Sequence, residues 1–120
     1  VLAAILASMQ LAAHAYVAKG TIELLDPVIA ILEKSGIATK GSSDFLARTY
    51  NSFSIDDARS LRERAQLRSV GGGGRTFVIV APNIPADAQN ALLKTFEEPP
   101  AGARFILIVP SPEMLLPTLL

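Results

Sequence analysis

RTFVIVAPNIPADAQNALLKTFEEPPAGARFILIVPSPEMLLPTLL, residues 75–120, is the stretch on which the fold turns. Its apolar runs Phe77–Val80 and Phe105–Val109 are rich in β-branched residues and show no polar alternation. Strands covered on both faces of a parallel sheet have this composition. One helix and no hairpin turn separates the two runs, so the unit reads as a right-handed βαβ crossover. Inside the helix, Ala88, Leu92 and Phe96 recur at four-residue steps. Pro85 and Asp87 mark its start, and Pro99-Pro100 stops it.

Working outward, the same grammar repeats. His14–Lys19 is a short strand ending at Gly20, and Asp44–Thr49 is another, giving strands near 14–19, 44–49, 76–81 and 105–109. Asp26-Pro27 reads as an N-cap and first-turn proline for a helix running to about Ser35, with Val28, Ile31 and Leu32 as its buried stripe. Ser54 with Asp57 resembles a capping box that opens a helix to about Ser69, its apolar face formed by Ala58, Leu61 and Ala65. Gly71–Gly74 reads as a flexible connector. Pro112 and Glu113 begin a last helix that the sequence barely enters. The alternation predicts a three-layer α/β/α domain around a parallel sheet of about four strands.

At 120 residues the chain is one domain or less, and half of its residues are apolar, enough for a core. Eleven basic and eleven acidic residues cancel, so the total charge points to neither a polyanion nor a polycation. With no cysteine there is no thiolate zinc site, disulfide or cysteine nucleophile among these residues, which fits a reducing cytoplasm. His14, the single histidine, builds no multi-histidine metal site, and with no acid or nucleophile nearby it reads as a junction residue. The opening VLAAILASMQLAAHA lacks the basic flank of a signal peptide and is too short to span a bilayer. Leu2, Ile5, Leu6 and Met9 instead fall at helical spacing, which predicts a helix packed on the body. The sequence does not begin with Met, so the expectation is either a fragment or a start at Met9.

An open α/β sheet binds ligands at the carboxyl ends of its strands. A phosphate-cradling loop there needs glycines to expose backbone N–H groups and a lysine for the outer phosphates. The turn after the first strand, Gly20–Asp26, has one glycine, no lysine and the two carboxylates of Glu23 and Asp26. Gly71–Gly74 precedes a strand and is no substitute. At the end of the third strand, Val80-Ala81-Pro82-Asn83 holds no acid for a metal ion or water, and Asn83 reads as a turn residue.

The helix itself carries a further signal. Residues 88–100, AQNALLKTFEEPP, closely resemble the A-x-N-A-L-L-K-x-x-E-E-P-P motif of bacterial clamp-loader subunits of the AAA+ class, most nearly the delta-prime and gamma/tau subunits of the DNA polymerase III holoenzyme. The likeness continues through Phe105–Val109 and Leu115–Thr118, and His14–Tyr16 and Ser54–Arg59 are similar to the family's first strand and its helix before the third. It implies a P-loop-NTPase-like fold over residues 1–120, truncated at the C-terminus, with the family's lid, collar and arginine finger absent from this stretch. Gln89, Asn90, Lys94, Glu97, Glu98, Pro99, Pro100, Pro117 and Thr118 carry the motif, and the resemblance implies that they face partner subunits.

The departures are as telling. Counted without gaps, the family's catalytic Asp-Glu pair falls on Ile79 and Val80, and its sensor Thr-Asn on Val109 and Pro110. The phosphate loop and the four zinc-binding cysteines of many relatives are missing. The expectation is therefore a non-catalytic, delta-prime-like subunit with no cofactor and no metal, docking to gamma/tau-like and delta-like subunits, and through the assembly to primed DNA, without a membrane. Its rivals are an active ATPase and a stand-alone interaction module. Arg59, Arg62, Arg64 and Arg68 are candidate DNA contacts, although helical spacing puts Arg59 and Arg62 on a different flank from Arg64 and Arg68, with a solvated helix face the simpler reading.

Overall fold

The computed structural model describes residues 9–12, 14–67, 74–100, 102–111 and 115. Five strands form one sheet: β1 (Met9–Ala12), β2 (Ala15–Lys19), β3 (Phe45–Thr49), β4 (Arg75–Val80) and β5 (Ala103–Val109). Their spatial order is β1-β2-β5-β4-β3. Strands β2, β5, β4 and β3 are mutually parallel, and β1 pairs antiparallel with β2 at one edge. Three helices connect the parallel strands: α1 (Leu25–Lys34), α2 (Ile55–Ala65) and α3 (Ala86–Glu97).

The crossover β2-α1-β3 travels across the sheet in one direction, while β3-α2-β4-α3-β5 steps back in the other. Crossovers of one hand that travel in opposite directions place their helices on opposite faces, and the core divides accordingly. On one face Phe77 and Ile79 of β4 and Phe105 and Leu107 of β5 pack against Ala58 and Leu61 of α2 and Ala88, Leu92 and Phe96 of α3. On the other, Val78, Val80, Ile106 and Ile108 meet Val28 and Leu32 of α1. Both sides of β4 and β5 are thus apolar, which is why their sequences do not alternate. The Phe105 ring sits between Phe77, stacked at 5.5 Å, and Phe96, tilted at 5.3 Å. The expected three-layer fold with four parallel strands is present.

Four local expectations change. Met9 lies in a strand rather than a helix: residues 9–12 pair with β2, Met9 opposite Val17, and His14 sits in the turn between the two strands. The open edge of β2 offers backbone partners to residues 9–12, while Leu2, Ile5 and Leu6 of the expected helix lie outside the described residues. Asp26 is the second residue of α1 and not its cap, because a 3-10 turn over Ile22–Leu24 precedes the helix. This entry turns Val28, Ile29 and Leu32 inward and leaves Ile31 half-buried. Helix α2 stops at Ala65 rather than Ser69. Gly74 is more than a connector: at φ +87° it abuts Gly102, and a Cβ built on it would lie 2.1 Å from the Gly102 carbonyl oxygen. The expected helix at Pro112 and Glu113 lies outside the described residues, as do Arg68, Pro117, Thr118 and Gly71–Gly73.

Candidate functional site

Two concave regions are built by the elements that the sequence singles out. The first lies along the carboxyl ends of the parallel strands, where the topology favours a ligand. Here the strand ladders run out: Gly20 N–H donates to Val109 O at 2.9 Å, Ala81 N–H to Ile108 O at 3.0 Å and Tyr50 N–H to Val80 O at 2.8 Å. Above them opens a cavity of about 550 Å³, lined by the segments 20–22, 49–51 and 80–82 with Ile108 and Pro110. None of these residues is charged. The hydrogen-bonding side chains are those of Thr21, Thr49, Tyr50 and Asn51, uncharged groups that suit a neutral polar partner better than a triphosphate.

The positions that nucleotide chemistry would occupy lie around this cavity or beneath it. Gly20 and Thr21 form its β2 wall, Glu23 lies in the 3-10 turn that follows, and Asp26 lies in the first turn of α1. Carboxylates at a helix N-terminus are favourable to the helix and unfavourable to a bound phosphate. Val80 and Pro110 line the cavity, while Ile79 and Val109 face the core on the α2/α3 side, 2% and 0% exposed. Asn83 turns away to a structural task. Its Nδ2–H donates to Ser52 Oγ at 3.0 Å and its carbonyl accepts from Phe53 N–H at 2.9 Å, tying the β4–α3 loop to the β3–α2 loop.

The second region is a groove of about 380 Å³ between α2 and α3. Local sequence shapes both walls. Ser54 caps α2 by accepting from Asp57 N–H at 3.1 Å, and Asp57 Oδ2 accepts from Ser54 N–H at 2.9 Å, so the predicted capping box is complete. Helix α3 begins after Pro85, its first turn anchored by Gln89, whose Nε2–H donates to Ile84 O at 2.8 Å. On α2 the stripe Ile55, Ala58, Arg59, Arg62 lines the groove, and on α3 the stripe Asp87, Asn90, Ala91, Lys94, with Thr95 beside it. Both follow the i, i+3, i+4, i+7 spacing of one helix face.

Sequence-predicted residues therefore separate into groups. Asn90 and Lys94 from the helix motif share the groove with Arg59 and Arg62, and Arg64 is exposed outside it. Gln89 is 4% exposed and bonded to backbone, so its side chain is committed to holding the start of α3. Glu97 and Glu98 are exposed at the far end of α3, followed by half-buried Pro99 and Pro100. The sequence alone assigns no site role to Thr49, Tyr50 and Asn51 or to the groove residues Ile55 and Asp87. Nothing short of the sheet order shows that these segments meet. Among the described residues no cluster of His, Cys, Asp or Glu could hold a metal ion, and no helix is long and apolar enough to cross a membrane.

Comparison with known proteins agrees with the geometry. The family model described as "DNA polymerase III, delta subunit" matches residues 32–120. Over 66 residues the chain is 41% identical to the DNA polymerase III subunit gamma/tau of Mycobacterium tuberculosis, covering 54% of this chain and 11% of the relative. It is 39% identical over 70 residues to the DNA polymerase III subunit delta' of Escherichia coli, covering 58% of this chain and 21% of the relative. A crystal structure of a DNA polymerase III gamma subunit-related protein from Thermotoga maritima superposes with a TM-score of 0.70 at 22% identity, covering 98% of this chain and 41% of that one. The chain thus spans less than half the length of each of these relatives, and the structural match speaks for the fold.

Proposed function

The chain belongs to the DNA polymerase III, delta subunit family, and we propose that it works there as a delta-prime-like, non-catalytic clamp-loader subunit in the cytoplasm. In this reading it docks against gamma/tau-like and delta-like sister subunits, through which the assembly reaches primed DNA. The observation that carries the non-catalytic role is the uncharged lining of the cavity at the strand ends. Nucleoside triphosphate hydrolysis needs a lysine and backbone N–H groups for the phosphates and a carboxylate for Mg²⁺ and water. Val80, Ala81 and Pro110 occupy the corresponding strand ends, and Glu23 and Asp26 would oppose a phosphate at α1. The exposed motif residues Asn90, Lys94, Glu97 and Glu98 leave a polar surface for subunit contacts.

Titration of the full chain with Mg-ATP in a calorimeter tests the first half of the proposal. No saturable heat is expected, and stoichiometric binding with turnover would make the protein an active ATPase. Mixing it with purified gamma/tau-like and delta-like subunits tests the second half. A stable complex by size exclusion is expected, and its absence would favour a stand-alone module.

A further inference from the structure

The groove between α2 and α3 has a polarity that subunit ancestry does not explain. Both helices follow parallel strands and so run in the same direction across the sheet. Each carries a groove-lining cation seven residues after the groove begins: Arg62 after Ile55 on α2, where Arg59 precedes it by one turn, and Lys94 after Asp87 on α3. Seven residues are two turns, about 10 Å of helix. The groove is therefore acidic and apolar where the helices start and basic on both walls two turns on. Its floor is apolar, formed by Ala58 and Ala91 with Ile55 at the entrance. Arg59 already pairs with Asp56 at 3.6 Å, whereas neither Arg62 nor Lys94 forms a salt bridge with a described residue.

From this arrangement we infer that the groove is a docking site for a short, acidic, amphipathic segment of a partner protein. The segment's carboxylates lie at Arg62 and Lys94, and its apolar side chains lie on Ala58, Ala91 and Ile55. Helix-in-groove recognition reads an apolar stripe in this way, and charge complementarity fixes the direction of the segment. A nucleic-acid backbone fits the same groove less well. Duplex DNA carries a negative charge about every 1.7 Å of axis, and a run of phosphates along the groove meets Asp87 at one end while leaving the apolar floor uncovered. The inference rests on the groove alone and survives whether or not the chain serves a clamp loader.

Selection of a random 12-residue peptide display library on the full chain tests it. The expected binders combine Asp or Glu with Leu, Ile or Phe. Measured by fluorescence polarisation as synthetic peptides, they lose at least tenfold in affinity with Lys94→Glu and with Arg62→Gln. Lys94 is exposed, so its replacement leaves the unfolding midpoint unchanged and separates lost binding from lost folding. Glu33→Lys, an exposed position of α1 on the opposite face of the sheet, leaves affinity within twofold. The inference is overturned if no peptide is selected, if the selected peptides carry no acidic bias, or if their affinity ignores both groove substitutions. A fluorescein-labelled 20-base-pair duplex that binds in an Arg62- and Lys94-dependent manner while the peptides do not would assign the groove to phosphates instead.

Discussion

Replacing Gly74 by alanine should destabilise the protein in a way that the left-handed Gly36 and Gly41 do not. Gly74 sits at φ +87°, where a side chain costs about 1–2 kcal/mol. The new Cβ would also lie 2.1 Å from the Gly102 carbonyl oxygen and 3.2 Å from its Cα, both backbone atoms of the neighbouring strand entrance. Neither can rotate away, so β4 and β5 must separate where they begin. The bond at risk is Arg75 N–H to Gly102 O, 3.1 Å long, worth about 1 kcal/mol. Together the terms come to about 2–3 kcal/mol, a fall in melting midpoint on the order of 10 °C. Gly36→Ala is the control, because Gly36 has nearly the same φ, +86°, and nothing within 4 Å of its Cβ position. It carries the conformational part alone, and the unfolded-state gain of Gly to Ala is common to both and cancels in the comparison. Urea unfolding of the two variants and the parent decides the matter. Equal stability of the two variants, or a Gly74→Ala change within about 0.5 kcal/mol of the parent, would refute the close-packing argument.

Three further outcomes follow from single side chains. Ser54→Ala removes the acceptor for Asp57 N–H and should cost about 1 kcal/mol in chemical denaturation, while Ser54→Gly should cost only a few tenths. Leu92→Ala empties a site that is 0% exposed between α3 and the sheet, for a loss of about 2–5 kcal/mol with an unchanged denaturant slope. Gln89→Ala should lose about 1–2 kcal/mol by differential scanning calorimetry, a stability effect that exposed Asn90→Ala should not share.

The parts of this fold that can be read from the chain are those whose signal is local. Ser54 and Asp57 specify their reciprocal cap within four residues, and the Ala58, Leu61 and Ala65 face needs only helical period to be found. The central strands β4 and β5 announce themselves because both their faces are buried. What escapes the sequence depends on partners distant in the chain. Residues 9–12 become a strand only because β2 has an edge to offer. Gly74 looks like linker until Gly102 is set against it. Gln89 falls within a motif that suggests an interface, yet its amide is taken up by Ile84 at the start of its own helix. The cavity at the strand ends lies where the topology places a ligand, and its uncharged character follows from Val80-Ala81-Pro82 and the turn after Gly20. The groove did not follow in the same way, because Arg62 and Lys94 share it only once β3, β4 and β5 are known to lie side by side.

The placement of β2 beside β5 also has a kinetic meaning. Phe77 finds Phe105 twenty-eight residues on, and Leu46 finds Phe77 after thirty-one, but Ala15 must wait for Phe105, ninety residues away. Closing the longer loop costs about 1 kcal/mol more in chain entropy than closing either shorter one. The stretch from β3 to β5 can therefore assemble from its own neighbours, while β2 and α1 join an existing template. During synthesis, the first parallel strand to leave the ribosome is the last to be paired. Until then the backbone edge of β5 that β2 will pair stays open, and an unpaired strand edge of this kind is exposed to aggregation.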